Sequence, residues 1–352
     1  MEQLIVVLFL IFFALDFLIE FVLNELNLRF VRARSAEKDI PDSFRGKISP
    51  NAYEKSVEYS LAKGRFERWT EIYSRAVTLV VLFSGVLSLL DRLAGGLAQK
   101  YSLGSYGQGI LFCLAIGLLF FSRAFRQAFT RPLASKPGLA STKPHVGVYL
   151  SDKLKGLILV LLIGVPFLFV VLWLMDVMGA LLVDLVVRLY HDVPTLDDRG
   201  FPTFIAPWFN KFEPLKQGEF RDRILALADQ VGFKTSGIYA MDGSKRSSHS
   251  NAYFTGIGKS KRIVLFDTLI EQMTIDQGLA VLAHEMGHYK MKHIARMLIV
   301  QTGFLLTGLF VLSLLLDFSA LYTAFGLTPS HHAALVLFSL LSGPVIFISG
   351  RL

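Results

Sequence analysis

Hydrophobic residues in this chain fall mostly in runs long enough to cross a bilayer, separated by short polar stretches. The first run, Leu4 to Leu23, is long, has no basic residue ahead of it and carries Asp16 and Glu20, so it reads as a retained span and not a cleaved leader. Both acids are costly in lipid and should face protein or the interface. Arg29 to Arg68 then holds ten Lys/Arg against six Asp/Glu, with Pro41, Gly46 and Pro50 ahead of a helical stretch around Tyr53 to Arg65. A second span is expected over about Tyr73 to Leu90, followed by a short Gly-rich loop whose bases are Arg92 and Lys100. A third runs from Gly109 to Phe121, and after it come Arg123, Arg126, Arg131, Lys136, Lys143, Lys153 and Lys155 against one acid, Asp152. This alternation of basic and nearly neutral loops places the N-terminus outside and the first loop in the cytosol.

Leu157 to Tyr190 is a longer apolar tract interrupted by Pro166, Gly179, Asp176, Asp184 and Arg188. As one helix it would measure about 50 Å, well beyond a hydrocarbon core of about 30 Å. Two readings stay open: one tilted span that continues outside the membrane, or two spans that turn near Gly179. From Pro207 the pattern becomes that of a soluble domain. A helix is expected from about Gly218 to Val231, ended by Gly232, then strands at Gly237 to Met241, Ala252 to Thr255 and Arg262 to Phe266. Gly256-Ile257-Gly258 would turn the last two into a hairpin. Thr274 with Gln277 reads as a capping box that opens a helical segment reaching Met297. Leu298 to Leu316 is a sixth span and Ala333 to Ile348 a shorter, proline-bearing seventh.

The pattern therefore predicts an all-α polytopic membrane protein of about seven transmembrane helices, with a small α+β domain. The expected division is a membrane region over 1–203, a soluble-type domain over 204–297 and further membrane helices over 298–352. Composition agrees: 53% of the 352 residues are hydrophobic and mean hydropathy is +0.51, too apolar for a soluble globule. The net charge of +8 sits beside the apolar runs, so its partner is the anionic headgroups of the lipid bilayer and no nucleic acid is expected. The single Cys113 excludes a disulfide framework and any cysteine-based metal site.

The chemistry concentrates in His284-Glu285-Met286-Gly287-His288. On a helix the two histidines stand one turn apart on one face and can grip a single Zn²⁺, with Glu285 placed to act as general base on its water. Two imidazoles need at least one more protein ligand. His293, nine residues beyond His284, falls half a turn out of phase on a continuous helix. It should therefore point away from the metal, as a supporting or interfacial histidine. Just upstream, the edge Asn251-Ala252-Tyr253 can pair with a substrate backbone by β-augmentation, or can be an ordinary hairpin edge. Asp242-Gly243-Ser244-Lys245-Arg246 lacks the glycine spacing and following helix of a phosphate loop. Asp176, Asp184 and Asp317 either line a wet interior or mark span ends.

These residues resemble a known family. Met241 to Phe254, Arg262 to Asp267 and His284 to His288 are similar to the type I CAAX prenyl protease branch of the M48 metallopeptidases. So are Ile205-Ala206-Pro207 with Phe209 to Phe212, and Phe44-Arg45-Gly46 with Tyr53 to Ser56. The resemblance implies a seven-helix membrane protease whose zinc site faces an intramembrane chamber. It implies one Zn²⁺ held by His284 and His288, Glu285 as general base, and Asn251, Ala252 and Tyr253 along the substrate cleft. The implied substrate is a peptide or protein, cut near a lipidated C-terminus. The implied location is the bacterial inner membrane or the endoplasmic reticulum, with the catalytic domain cytosolic.

The family's third ligand is a Glu of an E-x-x-x-D-type motif after the seventh helix, and Leu352 precedes that point, which reads as a C-terminally truncated member. His331 or His332 would be an unfavoured substitute near a span end. Residues 123–147 also lack the family's Phe-Gly-Phe-Asn-like linker, and Gly179 to Pro202 is more charged than its fifth span. A heat-shock-type membrane quality-control protease and a non-catalytic remnant or scaffold remain the alternatives.

Overall fold

In lipid every backbone N–H and C=O must be satisfied within its own segment, and the apolar runs accordingly fold as long helices. The computed structural model describes residues 1–36, 40, 46, 48–134, 146–178, 205–247, 249–255 and 261–343. These divide into one unit of residues 1–140, 167–179 and 311–352 and a second of residues 141–166 and 180–310.

In the first unit, α1 is Glu2–Ala36 and α2 is Pro50–Phe83, opened by Ser49, whose hydroxyl accepts from the Ala52 N–H at 3.3 Å. Gly85, in the left-handed region at φ +78°, breaks the path after Ser84, and α3 (Val86–Lys100) leaves at 61° to α2. The Gly-rich loop expected here is therefore mostly helix. Leu87, Asp91, Ala94 and Ala98 recur at helical spacing and are buried, so one packed face outweighs the low propensity of Gly95 and Gly96. α4 (Gly104–Ala134) likewise continues past Phe121 through the stretch expected as a basic loop. The unit is completed by α6 (Val165–Met178), α12 (Ser319–Ala324) and α13 (His331–Leu341). Asp16 is buried as its sequence context required, ion-paired with Arg75 of α2.

In the second unit, α5 (Val146–Leu159) takes in Lys153 and Lys155, which the pattern had left in a loop. It runs into a π-helical turn at Val160–Gly164, where the Val165 N–H reaches the Val160 carbonyl. Pro166 follows and has no N–H to give, so the Leu162 carbonyl loses its usual helical donor. The sheet comprises β1 (Phe212–Pro214), β2 (Gly237–Met241), β3 (Ala252–Thr255) and β4 (Arg262–Phe266) in the order β1-β2-β4-β3. β2 and β4 are parallel, and β1 and β3 are antiparallel edges. The remaining helices are α7 (Ala206–Phe209), α8 (Glu219–Gln230), α9 (Asp267–Gln272), α10 (Ile275–Lys290) and α11 (His293–Leu316). Ile224, Ile263, Leu265, Leu269, Leu282 and Met286 form the centre of the core between sheet and helices.

Among the described residues, three helices are long and apolar enough to span a membrane: Glu2–Arg34, Gly147–Val177 and Arg296–Leu316. The bent pair α2–α3 makes a fourth if it counts as one span, and Gly104–Phe120 and His331–Leu341 are shorter apolar helices. The turn at 256–258, the expected fifth span after Met178 and the end of the seventh lie outside the described residues, as do Phe44 and Arg45.

Candidate functional site

Helix α10 is held at its start by a complete capping box. The Thr274 hydroxyl accepts from the Gln277 N–H at 3.3 Å, and the Thr274 N–H donates to Gln277 Oε1 at 3.0 Å. Gly278 lets α8 approach so closely that a Cβ there would stand 2.7 Å from the Phe220 ring. Leu282 and Met286 point into the core, and the same turns leave His284 and His288 exposed with Glu285 half-buried between them.

The two imidazoles meet: His284 Nε2 lies 3.2 Å from His288 Nε2. Two nitrogens at Zn–N distances of 2.0–2.1 Å on a tetrahedron stand about 3.3 Å apart, so this spacing fits a shared metal ion. The other nitrogen of His288, Nδ1, is 2.9 Å from Nδ1 of His293. His293 therefore turns toward the pair and not away from it. A half-turn offset holds for one continuous helix, whereas α10 stops at Lys290 and α11 restarts at His293. Lys292 adopts φ +54° between them, accepting the Arg296 N–H at its carbonyl. A non-glycine residue in that region carries no sequence signal. Among the described residues no group of three or more His, Cys, Asp or Glu is arranged to hold a metal. His332 is engaged elsewhere, its Nε2 2.9 Å from Asp91 and 3.1 Å from Ser330.

β3 packs against this helix through Ala252, which is buried in the core with Leu282 and Met286. The Phe266 N–H donates to the Asn251 carbonyl at 3.0 Å, and antiparallel alternation then turns the backbone groups of Ala252 and Phe254 to the open edge. The Ala252 N–H is covered by Asn251 Oδ1 at 2.9 Å. Tyr253 stands on the opposite face near Met241, and burial raises its phenol above the usual value.

Two supporting groups were not evident in the sequence. Lys261 is buried and sits over the Phe233 and Tyr289 rings at 4.4 and 3.6 Å, while Phe233 also stacks on Phe254. This ties β3 to the C-terminal end of α10. Arg246 fastens the loop before β3 to Asp152 of α5 and to Asn210. The one sequence hint was that Asp152 is the lone acid of a basic stretch.

Comparison with known proteins bears on what this arrangement is. Residues 214–350 match the model of peptidase family M48, and residues 30–211 match that of the CAAX prenyl protease N-terminal region with its five membrane helices. CAAX prenyl protease 1 of Saccharomyces cerevisiae is 34% identical over 75% of this chain and 60% of its own length. The Dictyostelium discoideum homolog is 31% identical over 95% of this chain and 79% of its own. The chain thus spans less than two thirds of the yeast relative. The crystal structure of S. mikatae Ste24p superposes with a TM-score of 0.84 at 30% identity, covering 96% of this chain and 82% of that one. With its long apolar helices the protein is a multi-pass membrane protein. It belongs to the type I CAAX prenyl protease branch of peptidase family M48, a metallopeptidase family.

Proposed function

We propose that the chain is a membrane-embedded zinc metalloendopeptidase of the CAAX prenyl protease kind, with its catalytic domain over residues 204–297. The observation that carries this reading is the 3.2 Å pairing of His284 and His288 Nε2, with Glu285 beside them on α10. His284 and His288 hold one Zn²⁺ per chain, and positions remain for a further ligand and water. When bound, zinc supplies a Lewis acid that lowers the pKa of water to about 7. Glu285 accepts the proton lost by the attacking water and returns one to the leaving amine. Asn251, Ala252 and Tyr253 line the substrate cleft, where the open edge of β3 receives an extended backbone. The names of the yeast and Dictyostelium relatives support a prenylated protein C-terminus as substrate. The loop charges support a cytosolic catalytic side, at the inner membrane of a bacterium or the endoplasmic reticulum of a eukaryote.

The test is cleavage by purified protein in vesicles. A prenylated CAAX peptide, its unprenylated twin and an unfolded protein are offered in parallel. One zinc per chain is expected, with cleavage of the prenylated peptide falling about 10²–10⁴-fold in Glu285→Gln while zinc is retained. Cleavage of the unfolded protein alone points to a quality-control protease. Protein without zinc or cleavage, indifferent to Glu285→Gln, sinks the enzyme reading and leaves a scaffold.

A further inference from the structure

We infer that His293 is a positioning residue for the metal site: it fixes which nitrogen of His288 carries the proton and how the ring is turned. The inference rests on the reading of His284 and His288 as metal ligands. A ligating imidazole must present a lone pair at the metal, so with Nε2 of His288 facing His284 its proton belongs on Nδ1. That Nδ1 lies 2.9 Å from Nδ1 of His293, close enough for the His288 N–H to donate to it. The rings meet at 71° with centroids 4.9 Å apart, so His293 approaches His288 edge-on and is not stacked on it.

The backbone makes this contact possible. Lys292 at φ +54° turns the chain, and α11 begins again with His293 as its first residue. Without that turn the ring would lie on another face of the helix. Metal-bound histidines commonly donate their second nitrogen to a fixed acceptor, and losing that acceptor weakens metal binding. In this chain a neutral imidazole takes the place usually held by a carboxylate or a carbonyl.

The test uses the purified full chain and Zn²⁺ alone, with affinity read by competition against a chelating dye and folding checked by thermal melting. His293→Ala should bind zinc about 10–100-fold more weakly than the parent. His293→Asn puts an amide oxygen near the position of Nδ1 and should recover most of that loss. Lys292→Gly, which adopts the same turn freely, should leave affinity unchanged. A His293→Ala protein that binds zinc like the parent overturns the inference, and so does an Asn variant no better than Ala. Zinc binding that is absent in the parent, or untouched by His284→Ala, overturns the metal site itself and this inference with it.

Discussion

Arg246 grips Asp152 with two hydrogen bonds, Nε to Oδ2 at 2.8 Å and Nη2 to Oδ1 at 2.9 Å, and its third arm reaches Asn210 Oδ1 at 2.7 Å. Both partners are about three-quarters buried, with side chains 26% and 24% exposed. A bidentate, charge-assisted pair of this kind contributes more than an exposed ion pair. Arg246→Ala should cost on the order of 1.5–3 kcal/mol, and Arg246→Lys rather less because lysine offers a single point charge. Thermal melting in detergent measures both. Adding Asp152→Asn to Arg246→Ala should cost little further, and additive losses would show that the two residues do not act as a pair.

What could be read in the sequence divides along physical lines. Gly237–Met241, Ala252–Thr255 and Arg262–Phe266 were legible as strands because β-rich runs between turn residues mark their own ends. The three-residue β1 and the parallel pairing of β2 with β4 were not, since strand order depends on partners distant in sequence. α3 was hidden because Gly95 and Gly96 argue locally for a loop, while the burial of Leu87, Asp91, Ala94 and Ala98 argues globally for a helix. At the candidate site, the spacing of His284 and His288 was visible in the chain. The turn of His293 was not, because nothing local marks Lys292 for positive φ. Arg246 and Asp152 stand 94 positions apart, and no periodicity connects them.

The close approach of α8 to α10 makes Gly278 a sensitive position. Glycine inside a helix normally costs about 0.5–1 kcal/mol against alanine, so substitution by alanine usually stabilises. Here the added Cβ would meet Phe220 at 2.7 Å, and overpacking of about 1–3 kcal/mol should reverse the sign. Gly278→Ala is expected to melt earlier than the parent, and Phe220→Leu in the same chain should return part of the loss. Gly287, one helical face away with nothing within 4 Å of its would-be Cβ, is the internal control. Gly287→Ala should melt later, and two glycines with the same response would show that packing at Phe220 is not the cause.

Tyr253 gives a pH dependence of defined sign. Burial raises its phenol above the value near 10 that it has when exposed, so the folded protein keeps a proton that the unfolded chain gives up. The stabilisation is complete below the unfolded pKa and is lost as pH rises through the folded one. Between pH 8 and 11 the parent should therefore lose melting temperature more steeply above about pH 10 than Tyr253→Phe does. At neutral pH the two should differ little, since the hydroxyl's contact is a long one, 3.8 Å to Met241 sulfur. Parallel profiles up to pH 11 would contradict the buried placement of this ring.

Asp16 and Arg75 pair between α1 and α2 in an apolar setting. Asp16 is 2% exposed, and its Oδ1 has no hydrogen-bond partner among the described residues. Arg75 donates also to Glu71 at 3.1 Å and lies over the Phe13 and Phe17 rings at 5.2 and 5.9 Å. Removing one member strands a charge where water cannot reach it, which typically costs about 3–5 kcal/mol, whereas replacing the whole pair by apolar side chains is often neutral. Asp16→Leu and Arg75→Leu should each sharply lower melting temperature and yield in membranes. The double Leu variant should recover part of both, because the buried Asp16 charge is gone and only Glu71, whose side chain is 25% exposed, loses its partner. A double variant as unstable as the worse single one would mean that Arg75 holds α2 in place mainly through Glu71 and the two phenylalanines. The comparison of Asp16→Asn with Asp16→Leu separates these cases further, since the amide keeps the shape and an acceptor but gives up the charge.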